Sequence, residues 1–202
     1  MPPPARISPI ILIISGPAGS GKTTLCDRLL AAYPDRIRRV VTTTSRTPRA
    51  GEEEGIDYYF LDPDTFARRV AEGAFIEWAR VHGRLYGSQQ AHVRGQLDTG
   101  RDLLLNIDIQ GARSFQAEAT RNPDLPENLH TVFIKPQSLG QIRERLLKRG
   151  ESAHEIERRL KTAATELEQA DAFQHLIVSR SRDEDFAALQ NLYRSLKKES
   201  TP

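Results

Sequence analysis

Two hydrophobic rhythms alternate along the chain. Ile10 to Ile14 is apolar at every position, which predicts a parallel strand covered on both faces rather than a half-exposed one. From Lys22 to Tyr33 the apolar residues Leu25, Leu29 and Leu30 recur at helical spacing until Pro34 stops them. Arg38 to Thr44 is β-branched and predicts one strand; Ser45 to Asp57, with Pro48, Gly51 and Gly55, predicts a loop, and Tyr58 to Leu61 resumes extended chain. Asp62-Pro63 opens a short helix through Ala71 that Gly73 ends. Phe75 to Val81, a turn at Gly83 and Leu85-Tyr86 predict a hairpin, after which Ser88 is expected to cap a helix reaching Asp98.

The buried-strand pattern returns over Arg101 to Ile109, with Leu103, Leu104, Leu105 and Ile107, and a further strand is expected over Leu129 to Ile134 after a helix following Gly111 and a loop containing Pro123 and Pro126. Helices are expected over Ser138 to Arg149 and His154 to Ala170, a last strand over Phe173 to Val178 and a last helix over Asp183 to Lys198. Strands alternating with helices imply an α/β fold, a three-layer parallel sheet with right-handed crossovers whose ligands sit at the carboxyl ends of the strands. Residues 38–98 break this rhythm as a mainly β insertion.

At 202 residues the chain is long enough for one well-buried core, so a single domain is expected. The 29 basic and 27 acidic residues nearly cancel, which gives nucleic-acid binding no support. Cys26 is the only cysteine, so an internal disulfide and thiolate metal sites are excluded and a reducing cytoplasm is favoured. The proline-rich start and the short run Ile10 to Ile14 match neither a signal peptide nor a membrane span. The expected protein is soluble and ordered from about Pro9, with residues 1–8 disordered. His82, His92, His130, His154 and His175 show no metal-ligand spacing and read as ordinary.

The chemistry begins at Gly16-Pro17-Ala18-Gly19-Ser20-Gly21-Lys22-Thr23, followed by Thr24. Two glycines four residues apart before Lys and Thr match the phosphate-binding loop, a pattern met by chance in roughly one chain of this length in a hundred. A loop can wrap a polyphosphate with its N–H groups only where side chains do not block approach and positive φ is cheap. The following helix adds free N–H groups and the positive end of its dipole, Lys22 a charge toward the β/γ-phosphates, and Thr23 a hydroxyl for Mg²⁺.

A second site is suggested by the insertion. Arg46 and Arg49, in a loop stiffened by Pro48, either hold another phosphate with bidentate bonds, Tyr58 adding a hydroxyl, or are simply solvated. Glu77, within Phe75-Ile76-Glu77-Trp78, either faces solvent or needs donors. Guanine offers N1–H and N2–H₂ side by side to such a carboxylate, whereas adenine offers it a lone pair. Ser88 and Thr42 can donate to O6. Arg145 and Arg149, at i and i+4, share a helix face, as joint phosphate ligands or as a solvated stripe.

Gly16 to Thr24, Thr42 to Glu52, Asp57 to Phe60, Phe75 to Trp78, Tyr86-Gly87-Ser88 and Asp108 to Gly111, in order and at close to the family's spacings, resemble guanylate kinase, a P-loop nucleoside monophosphate kinase. The resemblance runs from Ile10 to about Lys198. It implies a P-loop NTPase-type core (9–37, 99–136 and 172–199), a GMP-binding insertion (about 38–98) and a helical lid (about 137–171). By position it implies that Arg46, Arg49, Tyr58 and Tyr86 hold the GMP phosphate and that Thr42, Glu77, Ser88 and Asp108 surround the base. Lys22, Arg145, Arg149 and Arg159 would act on the transferring phosphates.

The implied activity is ATP-dependent phosphorylation of GMP, and also of dGMP, to the diphosphate in purine nucleotide metabolism, with Mg²⁺ and no nucleic-acid or membrane partner, as a monomer or homodimer. A catalytically weak protein-binding module and a kinase for another small phosphorylated acceptor are the alternatives. Three positions and one spacing depart from the family pattern: Asn106 stands at the first Asp of an Asp-x-Asp pair, Ser179 at a usual Asn, Thr42 at a usual Ser, and the segment between Arg149 and Arg159 is one residue short. Asn106 brings no negative charge to the metal, so a weakened metal dependence is expected.

Overall fold

The structure, a computed structural model, describes residues 9–81, 83–122, 125 and 128–197. The segment 1–8, His82, Pro123, Pro126 and Lys198 lie outside the described residues. In chain order the elements are β1 (Ile11–Ser15), α1 (Lys22–Ala32), β2 (Ile37–Arg39), β3 (Thr43–Thr44), β4 (Tyr59–Phe60) and α2 (Pro63–Ala71). These are followed by β5 (Phe75–Val81), β6 (Arg84–Gln89), α3 (Gln90–Leu97), β7 (Asp102–Asn106) and α4 (Ile109–Ala119). The last third holds β8 (Leu129–Lys135), α5 (Leu139–Lys148), α6 (Ala153–Leu167), β9 (His175–Val178) and α7 (Arg182–Leu196).

The apolar runs become the main sheet. Every residue of β1 is buried, as the absence of polar alternation requires, because helices cover both faces of a parallel sheet. Its five strands lie in the order β2-β7-β1-β8-β9, with parallel pairing throughout. One face packs Ile11, Ile13, Leu103, Leu105 and Phe133 beneath Ala112 and Phe115 of α4. The other packs Leu12, Ile14, Leu104 and Val132 beneath Leu25 and Leu29 of α1 and Leu189 and Tyr193 of α7. The fold is thus the expected three-layer α/β sheet.

A second sheet, β4-β3-β6-β5, joins β3 to β4 in parallel and β3 to β6 and β6 to β5 antiparallel. Three local expectations change here. The β-branched run Arg38 to Thr44 is not one strand: β2 pairs with β7 in the main sheet and β3 with β6 in the other. A continuous propensity cannot reveal a change of partner between Val40 and Thr42. Ser88 does not cap α3. It lies inside β6 opposite Glu77, and Gln89 is the residue before the helix. Gly111 is not ahead of its helix but is the third residue of α4, whose cap is Asp108, accepting from the Gly111 N–H at 2.8 Å. Helices α5 and α6 pack on each other through Ile142, Leu146, Ile156, Leu160 and Ala163, a third small core beside the main one.

Away from the loop end of the sheet, one buried carboxylate ties three distant segments together. Asp102, 4% exposed, accepts from the Ile10 N–H and from Lys197 Nζ, both at 2.9 Å, and from the Tyr193 hydroxyl at 2.7 Å. Removing the carboxylate takes away the shared acceptor of an ammonium, a hydroxyl and a backbone N–H. Asp102→Ala is expected to destabilise the fold by about 3 kcal/mol, and Tyr193→Phe by about 1 kcal/mol. Urea denaturation of the two variants checks this; equal, sub-kilocalorie losses would show that the clasp is not a structural tie.

Candidate nucleotide site

The loop between β1 and α1 is shaped by backbone constraints. Gly16, Gly19 and Gly21 have φ of 135°, 83° and 102°, where a side chain is strained. At Gly16 space forbids one as well, since a Cβ would stand 2.6 Å from the Ile134 carbonyl oxygen on β8. Gly21, in the left-handed region, occupies the cap position of α1 and offers no side chain to the first-turn amides, and that turn holds no acidic residue. The loop therefore presents N–H groups and a helix dipole to an anion. Lys22 folds back to donate to the carbonyls of Gly16 (2.5 Å) and Pro17 (3.0 Å). Burial pushes its ammonium below the usual lysine range, against the pull of the Glu166 carboxylate on α6 and of Asp108.

The ends of β1 and β7 meet the second sheet across a cleft of about 250 Å³. Lys22, Thr23, Asn106 and Asp108 line one side of it, and Thr42, Tyr58, Glu77 and Tyr86 the other. Asn106 donates from Nδ2 to Thr23 Oγ1 at 3.2 Å. Ser88 does not line the cleft but donates to Glu77 Oε1 at 2.7 Å, so the open alternative for Glu77 resolves to a buried carboxylate with a donor. Burial is the main reason its carboxyl is pushed up to about 7; the nearby Asp108 adds to this and the Ser88 hydrogen bonds oppose it.

Arg46 lies beneath the aromatic rings of the second sheet, its guanidinium 4.9 Å from the Tyr58 ring centre. It forms a fork with Glu52 at 2.6 and 2.7 Å, which holds Glu52 down at about 2, and Glu52 also accepts from the Arg49 N–H at 2.8 Å. Arg49 itself is exposed and outside the lining of the cleft.

A second cavity, also about 250 Å³, opens on the other side of the loop. Gly19, Ser20, Gly21, Thr24, Arg145 and Arg149 face it. Arg145 donates to the carbonyls of Gly19 (3.2 Å) and Ser20 (2.9 Å) and to Ser179 Oγ (3.1 Å). Ser179 in turn donates to the buried Asp185 at 2.7 Å. Helix α5 is thereby tied to the phosphate loop. Arg159 is not brought to either cavity: its Nε contacts Glu151 and Glu155, both at 2.9 Å, within the α5–α6 turn region.

Sequence reasoning missed Glu52, Glu166 and Asp185. Each is an acidic residue in a charged stretch, and only the fold sets it beside Arg46, Lys22 or Ser179. It also missed that His130 and His175 are neighbours on β8 and β9, with ring centres 5.8 Å apart. Among the described residues no group of three or more His, Cys, Asp or Glu could hold a metal ion. The buried Cys26 thiol is pushed up to about 12, mainly by burial, which makes it unreactive.

The family model described as guanylate kinase matches residues 8–196. A guanylate kinase of Thiobacillus denitrificans is 41% identical over 201 residues, 99% of this chain and 92% of the relative. One of Thermotoga maritima is 35% identical over 186 residues, 92% of this chain and 86% of the relative. The crystal structure of guanylate kinase from Anaplasma phagocytophilum superposes with a TM-score of 0.72 at 34% identity, covering 93% of this chain and 86% of that one.

The raised Glu77 carboxyl has a consequence for stability. Between its ordinary value of 4.5 and about 7 the folded chain holds a proton that the unfolded chain releases, so this residue's contribution to stability falls as pH rises through that window. Glu77→Gln should remove that slope and leave the variant more stable than the parent at pH 8. Urea denaturation of both proteins from pH 5 to 8 measures the difference; parallel curves would exclude the buried, proton-binding carboxylate.

Proposed function

The chain belongs to the guanylate kinase family, and from that premise we propose a division of labour among its residues in the phosphorylation of GMP by ATP. The observation that carries the reading is Glu77, a buried carboxylate held by Ser88 across the same cleft as Lys22 and Thr23. In that position it accepts from N1–H and N2–H₂ of guanine, while an adenine would leave it facing a lone pair. Thr42 and Asp108 complete the base pocket. Arg46, Arg49, Tyr58 and Tyr86 hold the GMP phosphate, which requires Arg46 to share or exchange its Glu52 fork with the substrate. The same cleft accepts dGMP.

ATP lies along the loop, its phosphates on the unpaired amides of the stretch 16–24 and on Lys22. A GMP phosphate oxygen attacks the γ-phosphorus, and the bond from that phosphorus to the β–γ bridging oxygen breaks to release ADP. The acceptor is already an oxyanion near neutrality, with a second pKa of about 6, so no general base is needed. Catalysis is positioning and charge stabilisation by Lys22, Arg145, Arg149 and Arg159. Arg159 reaches the phosphates only by leaving Glu151 and Glu155, a movement of the 137–171 lid that would also exclude water and suppress ATP hydrolysis.

The residues at the loop that would hold Mg²⁺ are the Thr23 hydroxyl and the Asp108 carboxylate on the same cleft wall, both hard oxygen donors, while Asn106 turns its amide nitrogen to Thr23 Oγ1 and would offer only a neutral oxygen in its place. When bound, the ion supplies neutralisation of the β- and γ-phosphate oxygens. A cytoplasmic location is favoured by the unpaired, buried Cys26 and by the nature of the substrates. No helix among the described residues is long and apolar enough to cross a membrane. A non-catalytic binding module is not favoured, because the loop lysine and glycines are intact.

An ADP-release assay with ATP and separate GMP, dGMP, AMP, CMP and UMP tests the reading. Turnover is expected with GMP and dGMP. Turnover with AMP but not GMP would overturn the role of Glu77, and none with any acceptor would favour a binding module. For the metal, Asn106→Asp restores a charge beside Thr23, so the Mg²⁺ concentration for half-maximal rate should fall by about tenfold, the order expected for a charged ligand. An unchanged titration would remove Asn106 from the metal site.

A further inference from the structure

Gly111 has no backbone reason to be glycine. It is the third residue of α4 and is absent from the glycines of positive φ, and alanine is the better helix former at an interior position. The reason lies across the interface with β5. A Cβ at Gly111 would stand 2.8 Å from Glu77 Oε2, 3.4 Å from Glu77 Cδ and 3.0 Å from Asp108 Oδ1. Gly95 in α3 is the contrasting case, a helical glycine with nothing within 4 Å of the same added atom.

The two oxygens of Glu77 are therefore constrained from opposite sides. Oε1 is fixed by the Ser88 hydroxyl at 2.7 Å, and Oε2 lies over the bare Cα of Gly111. The strand cannot shift alone, because β5 is hydrogen-bonded edge to edge with β6 along Phe75 to Val81, with Glu77 opposite Ser88. An added methyl at residue 111 would thus be relieved at the cheapest point, by turning the end of the Glu77 side chain. That movement leaves the packing of α4 and β5 in place but re-aims the carboxylate.

We infer that Gly111 is a specificity-positioning residue, whose missing side chain leaves the space in which the Glu77 carboxylate is held, against Ser88, at the angle from which it meets the base of the acceptor nucleotide. Gly111 acts through Glu77 and touches no substrate itself. The inference rests on the reading of Glu77 as the base-recognising group. It adds that the choice of acceptor depends on a position in a helix of the main domain, outside the insertion that carries Glu77.

Gly111→Ala is expected to raise the KM for GMP by about tenfold, the effect of one misdirected buried hydrogen-bonding group, and to lower the GMP-to-AMP ratio of kcat/KM. The KM for ATP and the midpoint of urea denaturation should stay at the parent values or, for the midpoint, rise. Gly95→Ala serves as the control and should move only the midpoint. Glu77→Asp, which withdraws the carboxylate by one methylene, should cost less in the Gly111→Ala background than in the parent, because the two changes act on one space. A Gly111→Ala enzyme with parental KM for GMP, or a multiplicative double variant, overturns the inference. Failure of the parent itself to prefer GMP over AMP overturns instead the reading of Glu77 on which it rests.

Discussion

The arrangement of charge around the loop at residues 16–24 governs the rest of the site. Cations that touch the loop bond to neutral dipoles: Lys22 to the Gly16 and Pro17 carbonyls, and Arg145 to those of Gly19 and Ser20. Neutral carbonyls orient a positive group without cancelling its charge. The cations farther out are held differently, Arg46 by Glu52 and Arg159 by Glu151 and Glu155. An anion arriving at the loop meets cations whose hydrogen bonds go to neutral groups, whereas one that recruits Arg46 or Arg159 must compete with carboxylates. In the proposed reaction this difference separates the groups that bind ATP at once from those that engage as the lid and insertion close.

Much of the frame was legible because its signals are local. The buried parallel strands follow from the unbroken apolar runs Ile10 to Ile14 and Leu103 to Leu105, and the loop from a spacing of glycine, lysine and threonine that few other structures need. Glu77 was legible as a problem, a carboxylate in an apolar strand, but its solution was not. The pairing of Glu77 with Ser88 depends on a register shift in β5 between Phe75 and Glu77, and a one-residue slip would send either side chain to the opposite face. Ser88 read alone looked like a helix cap because Ser is good at both tasks. The split of Arg38 to Thr44 between two sheets failed to show for a related reason, since β-branched residues favour extended chain without naming a neighbour.

Glu52, Glu166 and Asp185 were illegible in another sense. A carboxylate acquires meaning only from what it faces, and these three face cations or hydroxyls far away in sequence or across a turn. Gly111 shows the same limit from the opposite side: its significance is an empty volume, which no pattern of residue types records.

The site is a sum of local compromises that the surrounding fold tolerates. Lys22 is desolvated with no carboxylate at hydrogen-bonding distance, Glu77 is buried with Ser88 as its side-chain donor, and Gly111 forgoes the helix propensity of alanine. A stabilising feature lies elsewhere: the Asp102 clasp at the opposite end of the strands. This separation has a physical reason. A carboxylate must keep spare acceptor capacity to bind a base, and an ammonium must keep spare donors to bind a phosphate, so neither can be fully satisfied within the fold. Asp102 accepts from three partners and has little left to offer a ligand; Glu77, with Ser88 as its side-chain donor, keeps acceptor capacity and through its burial is costly to ionise.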